Sequence, residues 1–289
     1  MTAFGEDLIG RTSVVIPVKD DPLIFRCLES IDEPVEVIVV TNGSTPQFVK
    51  SLASFEKHPL EIVSLEKPGI GAAFNAGAEK ATGDFILLMD SDCVFTPGSI
   101  RAMAEGLGSG DFSRGRTVFS SHSWATRMTA RTREYTEDAL RTRRPNAYSP
   151  PLLYRKDVIQ RMGGYHFDPR LGWREDRDFE LRRRAAGLPV AFVPEGTVVH
   201  KPLSIRADLA SVLNYGAGQH RGELLGILPK ISLRHEIAKT ARSVTRIAVG
   251  TRNPVLAVYP VVRLLALLRG YREAARRHAG SRLHQGGDA

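Results

Sequence analysis

Cysteine is almost missing from this 289-residue chain, with Cys27 and Cys93 its only two. Two thiols so placed make neither a disulfide framework nor a cysteine-based zinc site, and a reducing compartment is the simpler setting for them. The N-terminal text "MTAFGEDLIGR" lacks a basic n-region and an apolar h-region, so no secretory signal is read and the chain is expected in the cytoplasm. Long uncharged apolar runs are lacking too. In "NPVLAVYPVVRLLALLRG" the run meets Arg263 well short of the ~20 residues that span a bilayer, so no membrane crossing is expected. Neither an RNP-like aromatic motif nor a zinc-ligand spacing occurs, which argues against a nucleic-acid partner. Internal repeats and low-complexity tracts are absent as well.

What is present is an ordinary globular composition, 42% hydrophobic and 25% charged, with enough apolar content for a sizeable core. The net charge of +8 is unevenly held: residues 201–289 carry 15 Lys or Arg against 5 Asp or Glu. The body is therefore nearly neutral and the tail basic, a pattern that suits an anionic surface partner at the tail.

The first hundred residues alternate between two textures. "SVVIPV" (13–18), "VEVIVVT" (35–41), "LEIVSLE" (60–66) and "DFILLMD" (84–90) are short, near-continuous apolar runs, as expected of parallel strands buried on both faces. Between them lie helical patterns. Asp21 and Pro22 open the first, which keeps Leu23, Ile24, Cys27, Leu28 and Ile31 at helical spacing until Asp32-Glu33-Pro34. Further helices are expected near 45–57, 71–81 and 97–106. The order βαβαβαβ predicts a doubly wound α/β sheet, mostly parallel, with right-handed crossovers.

Ligands of such sheets bind beyond the carboxyl ends of the strands. Those ends read Pro17 to Asp21, Thr41-Asn42-Gly43-Ser44, Glu66 to Gly71 and Asp90-Ser91-Asp92. Asp90 and Asp92 alternate in an extended segment, so both can address a hard divalent cation that bridges phosphates. Asp-Ser-Asp after a strand is equally a turn and N-cap signal. Residues 111–147 are less regular and rich in arginine: Arg114, Arg116, Arg127, Arg131, Arg133, Arg141, Arg143 and Arg144. This stretch reads as a solvated face or loop, or as a lid over an acidic acceptor.

Ordered text resumes with the strand "PLLYR", a short helix from Asp157 to Met162, and a helix that opens at Glu175-Asp176 and stops at Gly187. Strands at 189–194 and 197–200 follow. Acidic residues in a first helical turn answer the helix dipole; the same field keeps Asp176 ionised and so suits it to be a general base. His200 at a strand end is either structural or a metal ligand beside the Asp pair.

These pieces occur in a recognisable order: "VVIPVKDD", "VIVVTNGST", "KPGIGAAFNAGAEKATGDFILLMDSD", "GGY" with Asp168, "GWREDRDFELRRRAAG" and the terminal "VVH". Over residues 12 to 200 the chain resembles family 2 glycosyltransferases with the GT-A fold. The resemblance implies a Rossmann-like, mostly parallel sheet flanked by helices, in a catalytic domain of residues 1–200. Its nucleotide-sugar half would span about 12–108 and its acceptor half about 109–200, with 201–289 a basic helical extension. The implied reaction is inverting transfer of a sugar from a nucleotide-diphosphate sugar to an acceptor hydroxyl, assisted by Mg2+ or Mn2+.

Carried over residue by residue, Asp90 and Asp92 would serve metal and donor, and His200 would complete the metal site. Asp176 would be the base, and Glu175 and Trp173 would shape the acceptor pocket. Pro17, Val18, Thr41, Asn42, Ser44, Gly71, Asn75 and Ser91 would line the nucleotide-sugar site. Two departures stand out: Thr41-Asn42 where the family often has acidic residues, and Phe74 where it often has Arg. An asparagine both donates and accepts, so the nucleotide base is left open.

Other readings remain at this stage. A sugar nucleotidyltransferase would show a glycine-rich loop where this chain has "PVKDD". A non-catalytic sugar-nucleotide binder would be indifferent to substitution of Asp176. The tail, read as helices interrupted at Asn253-Pro254 and Pro260, suits an interfacial helix on anionic lipid beside a lipid-linked acceptor; packing on the domain or dimerisation suits it equally.

Overall fold

Uninterrupted apolar runs need cover on both sides, and the first strands have it. In the computed structural model, which describes residues 3–138, 145–148 and 150–285, all seven residues of β1 (Thr12–Val18) are buried. Because strand side chains alternate, Val14, Ile16 and Val18 face one core while Val15 faces another. The first core is closed by α1 (Ala3–Gly10), α2 (Leu23–Glu29) and α5 (Ser99–Leu107) through Leu8, Ile24, Leu28 and Met103. The second is closed by α4 (Ile70–Lys80) and α7 (Glu175–Ala185) through Ala73, Phe74 and Phe179. A Cβ at Gly77 would collide with Val15, so the absence of a side chain there lets α4 lie directly on β1.

The other strands are β2 (Glu36–Asn42), β3 (Leu60–Leu65), β4 (Phe85–Leu88), β5 (Cys93–Phe95), β6 (Phe112–Phe119), β7 (Leu152–Arg155) and β8 (Ala191–His200). They form one eight-stranded sheet in the order β3-β2-β1-β4-β7-β6-β8-β5. Pairing is parallel from β3 through β4 and between β6 and β8; β7 and β5 run antiparallel to their neighbours. The α/β architecture is the expected one. The two strands expected at 189–194 and 197–200 are one, β8, with a register shift opposite Arg114 and Arg116 of β6.

The arginine-rich segment departs most from its reading. It holds β6 and the helix α6 (Trp124–Thr136) rather than a loop. Arg114 is buried and donates to Asn146, Arg116 pairs with Asp138 at 2.8 Å, and Arg131 pairs with Glu134 at 2.7 Å. Arg141, Arg143 and Arg144 lie outside the described residues.

By its contacts the chain divides into two units. One gathers the described residues of 1–119, 138–170 and 175–201; the other gathers those of 120–137, 171–174 and 202–289. The second unit is helical, with α6, α8 (Ile205–Leu224), α9 (Leu233–Thr251) and α10 (Pro254–Gln285). Ser204 and Ser232 cap α8 and α9 by accepting from the N–H groups of Ala207 and His235. A core of Met128, Tyr135, Ile247, Leu256, Ala257 and Tyr259 holds it together. Pro260 does not interrupt α10, which runs through it with Tyr259 and Leu256 packed in that core. By length and composition alone, Pro254–Ala279 is long and apolar enough to cross a membrane. Arg263, the charge that broke the apolar run, turns inward. Its Nε is 3.3 Å from Asp208, itself 0% exposed, which also binds Arg133 at 2.7 Å and accepts from the hydroxyl of Tyr259.

Candidate active site

The carboxyl edge of the sheet unit is assembled by one register. β5 pairs antiparallel with β8 so that Cys93 lies opposite His200, which sets Asp92 against the imidazole. His200 Nε2 is 3.4 Å from Asp92 Oδ2, and its Nδ1 is 2.7 Å from the carbonyl of Lys201. A carbonyl only accepts, so Nδ1 carries a proton and, in the neutral ring, Nε2 turns its lone pair toward a carboxylate oxygen. Two acceptors facing one another fit a cation between them. Asp92, Cys93 and His200 bring ligand atoms within 4.8 Å of one another. Burial, with the neighbouring Asp90 and Asp92, pushes the Cys93 thiol well above its usual range, so it remains protonated and a poor ligand. A carboxylate and an imidazole remain, donors that suit a divalent cation.

Asp90 stands next to this pair in the turn after β4. Its pKa is pushed up to about 7, first by burial and then by the negative charges of Asp92 and Asp176. Asp176 is therefore close enough in the field to matter, although 84 and more residues of chain separate it from the aspartate pair. It sits half-buried in the first turn of α7, its Oδ1 accepting from the N–H of Arg177 at 2.7 Å. What holds α7 there is its inner face. Phe179 stacks on Phe167 at 5.1 Å, and Glu180 accepts from Arg183 and from the N–H of Ala147.

Two participants were not singled out as site residues from the sequence. Lys201 Nζ lies 3.0 Å from Asp21 Oδ2 and 3.2 Å from Asp92 Oδ2. Asp21 was read as the start of α2 and as the last residue of the first strand-end segment, and its other oxygen does serve the helix start by accepting from Leu23 N–H at 3.0 Å. The only available signal was the adjacency of Lys201 to His200.

The nucleotide-site residues divide. Ser91 is partly exposed in the same turn as Asp90 and Asp92. Thr41 is 1% exposed and donates to Ser64 Oγ at 2.9 Å; Asn42 Oδ1 accepts from Gly69 N–H at 2.7 Å, and Ser44 donates to the carbonyl of Val18. These side chains tie strand ends to one another. Pro17 and Val18 are buried in β1. Asn75 clasps the backbone of Phe167 with both ends of its amide, at 2.7 and 2.9 Å. Gly71 leaves only contact space to Phe167 and Glu175, which are 3.2 and 3.6 Å from where its Cβ would be. Phe74 packs on Phe167 at 5.5 Å. Glu175 is half-buried beside Asp176. Trp173 belongs to the helical unit, 39% exposed, edge-on to Tyr215 at 5.5 Å.

Residues 13–163 match the family model described as glycosyl transferase family 2. The chain is 32% identical over 197 residues to the uncharacterised glycosyltransferase YwdF of Bacillus subtilis, covering 65% of this chain and 72% of that protein. It is 27% identical over 193 residues to the amylovoran biosynthesis glycosyltransferase AmsE of Erwinia amylovora, covering 59% of this chain and 67% of that one. Among solved structures it is similar to the mannosyltransferase PcManGT from Pyrobaculum calidifontis in complex with GDP-Man and Mn2+. That match has TM-score 0.55, 20% identity, and coverage of 91% of this chain and 82% of that one. Residues 1–349 of S. aureus TarS match with TM-score 0.52 and 16% identity, over 94% of this chain and 92% of that one. At such identities the structural similarity is one of fold.

Proposed function

The chain belongs to glycosyl transferase family 2 and is a glycosyltransferase that uses nucleotide sugars; we propose that it transfers the sugar with inversion, using Mg2+ or Mn2+. The observation that carries this reading is the Asp92–His200 pair, a carboxylate oxygen and an imidazole nitrogen 3.4 Å apart at the carboxyl edge of the sheet, with Asp176 in the same field. Asp92 and His200 hold the cation, with Asp90 beside them. When bound, the cation supplies charge stabilisation for the leaving nucleoside diphosphate. Asp176, in the first turn of α7, receives the proton of the acceptor hydroxyl at a carboxylate oxygen. Glu175 shapes the acceptor side of the site next to Asp176. In this reading residues 1–200 are the catalytic domain, with donor half 12–108 and acceptor half 109–200, and 201–289 are an extension.

The donor pocket is lined by the backbone and ends of Pro17, Val18, Thr41, Asn42, Ser44, Gly71 and Asn75, with Asp90 and Ser91. Thr41 and Asn42 are engaged within the sheet, so no carboxylate at the end of β2 addresses a uracil ring. The decisive measurement is a thermal-shift panel of UDP-, GDP-, dTDP- and ADP-sugars, each with Mn2+ and with chelator. A ligand at ~100 times its Kd stabilises the fold by roughly 2.7 kcal/mol. A metal-dependent shift with one nucleotide, lost in Asp92→Ala, is the expected result; no shift with any nucleotide sugar defeats the reading.

The same reading makes the enzyme cytoplasmic and peripheral at an anionic membrane, where a lipid-linked hydroxyl is the acceptor. On α10 the exposed Val255, Val258, Val262 and Leu265 are continued at the same spacing by exposed Arg269, Arg272 and Arg276. Exposed Leu233, Ile237, Arg234 and Arg242 repeat the mixture on α9. Apolar side chains flanked by cations favour the boundary between acyl chains and acidic headgroups.

A further inference from the structure

Asp92 Oδ2 is the most contested atom of the carboxyl edge. His200 Nε2 is 3.4 Å from it, and the ammonium of Lys201 is 3.2 Å from it. Building on the proposed metal-assisted reaction, we propose that Lys201 and the divalent cation exchange places on Asp92, and that the displaced ammonium then binds the diphosphate of the donor.

The argument begins with electrostatics. A cation ligated by Asp92 and His200 lies at ~2.0–2.6 Å from its ligand oxygens. An ammonium on the same oxygen would then be only a few ångströms from a doubly charged ion, with a single negative charge shared between the two. Like charges at ~4 Å repel by several times thermal energy in any medium less polar than water. One of the two must leave Asp92.

Lys201 is built to be the one that moves. Its backbone is fixed, the N–H donating to the carbonyl of Asp92 at 3.1 Å. Its side chain is 39% exposed on a flexible four-carbon stem. Its second partner, Asp21, sits just beyond the carboxyl end of β1, where the phosphates of a bound nucleotide gather in sheets of this kind. An ammonium released from Asp92 therefore remains at the height of the diphosphate, to which it offers three donors and a compact charge. The exchange couples the two ligands: cation binding liberates a phosphate contact, and phosphate binding removes the cation's competitor. By linkage the coupling is reciprocal. Lys201 is a positioning and binding residue in this scheme, with no proton to move.

The test uses the full chain and two probes, Mn2+ alone followed by electron paramagnetic resonance, and UDP and GDP followed by calorimetry at saturating Mn2+. A charged hydrogen bond is worth enough that Lys201→Met should bind Mn2+ alone about tenfold more tightly and the preferred nucleoside diphosphate about tenfold more weakly. Lys201→Arg keeps the charge and should stay near wild type for Mn2+. A gain in metal affinity is a result that mere structural damage does not produce. Lys201→Gln supplies the same readout should the Met variant fail to fold. Unchanged or weaker Mn2+ binding in the neutral variants overturns the exchange. Failure of the metal reading itself looks different: wild type and Lys201→Met would both ignore Mn2+ while wild type still bound a nucleotide sugar.

Discussion

Both units of the molecule bury carboxylates, and they treat them in opposite ways. In the helical unit Asp208 is fully buried and fully answered, by Arg133, by Arg263 and by the hydroxyl of Tyr259. In the sheet unit Asp92 and Asp21 share the ammonium of Lys201, and Asp90 beside them is driven up to about 7 by burial and by the negative charges of Asp92 and Asp176. A balanced network holds helices together. An unbalanced one stores a demand for positive charge, and a binding site for a cation is the usual reason a protein tolerates that.

Substitutions should separate the two kinds of carboxylate, and the largest effect is expected at Asp176. Removing a general base costs about 10²–10⁴ in rate, so Asp176→Asn should lose that much kcat while its melting curve stays close to wild type. An unchanged rate would take the base away from α7. Asp208→Ala should do the reverse. It removes the buried carboxylate that Arg133, Arg263 and Tyr259 share and should cost about 3–5 kcal/mol in urea unfolding, whereas Asp92→Asn, relieved of acidic neighbours, should change stability by less than about 1 kcal/mol. If both variants unfold alike, the two units do not hold their carboxylates differently.

Acid sharpens the contrast next. His166, accepting from or donating to Tyr154 at 2.8 Å, is held down to about 4 by burial and by the charges of Lys156 and Arg182. The unfolded chain takes up this proton first, so stability falls as pH drops from about 6.5 to about 4, by at most about 3 kcal/mol. Glu137 in the helical unit behaves differently. Desolvation opposes its charge, but Arg133 and Arg263 outweigh it and hold it down to about 2. Its contribution is present above its ordinary carboxylate range and is lost only as pH falls toward 2. Hydrogen exchange across this range should show the sheet unit loosening first, and His166→Gln should remove that early limb. The smallest effect is expected on lipid. Each of Arg269→Gln, Arg272→Gln and Arg276→Gln should weaken binding to phosphatidylserine vesicles by about 1 kcal/mol, checked by co-sedimentation. No binding by the wild-type chain would leave α10 to self-association.

Much of the fold was legible because its signals are local. β1 to β4 announced themselves as apolar runs, and α4 and α7 by periodicity and by glycine or acidic residues at their ends. β6 and α6 did not, since their buried positions include Arg114 and Thr129, polar side chains whose partners Asn146 and Leu203 lie elsewhere in the chain. At the site, Asp90, Asp92, Asp176 and His200 stood out by type and order. Asn75 was read as a ligand residue, yet its amide clasps Phe167, 92 residues away. No spacing rule reaches that far.

Side-chain alternation, helical periodicity, capping and charge distribution act over one or two turns of chain, and they were enough to establish strand, helix, sheet class and the chemistry available at the strand ends. Which of those groups meet was settled by long-range pairing. The β5–β8 register brings His200 and Lys201 onto Asp92, and packing around Phe179 brings Asp176 into their field. Such contacts depend on the closing of the whole sheet, because an electrostatic interaction depends on distance through space and is indifferent to distance along the chain.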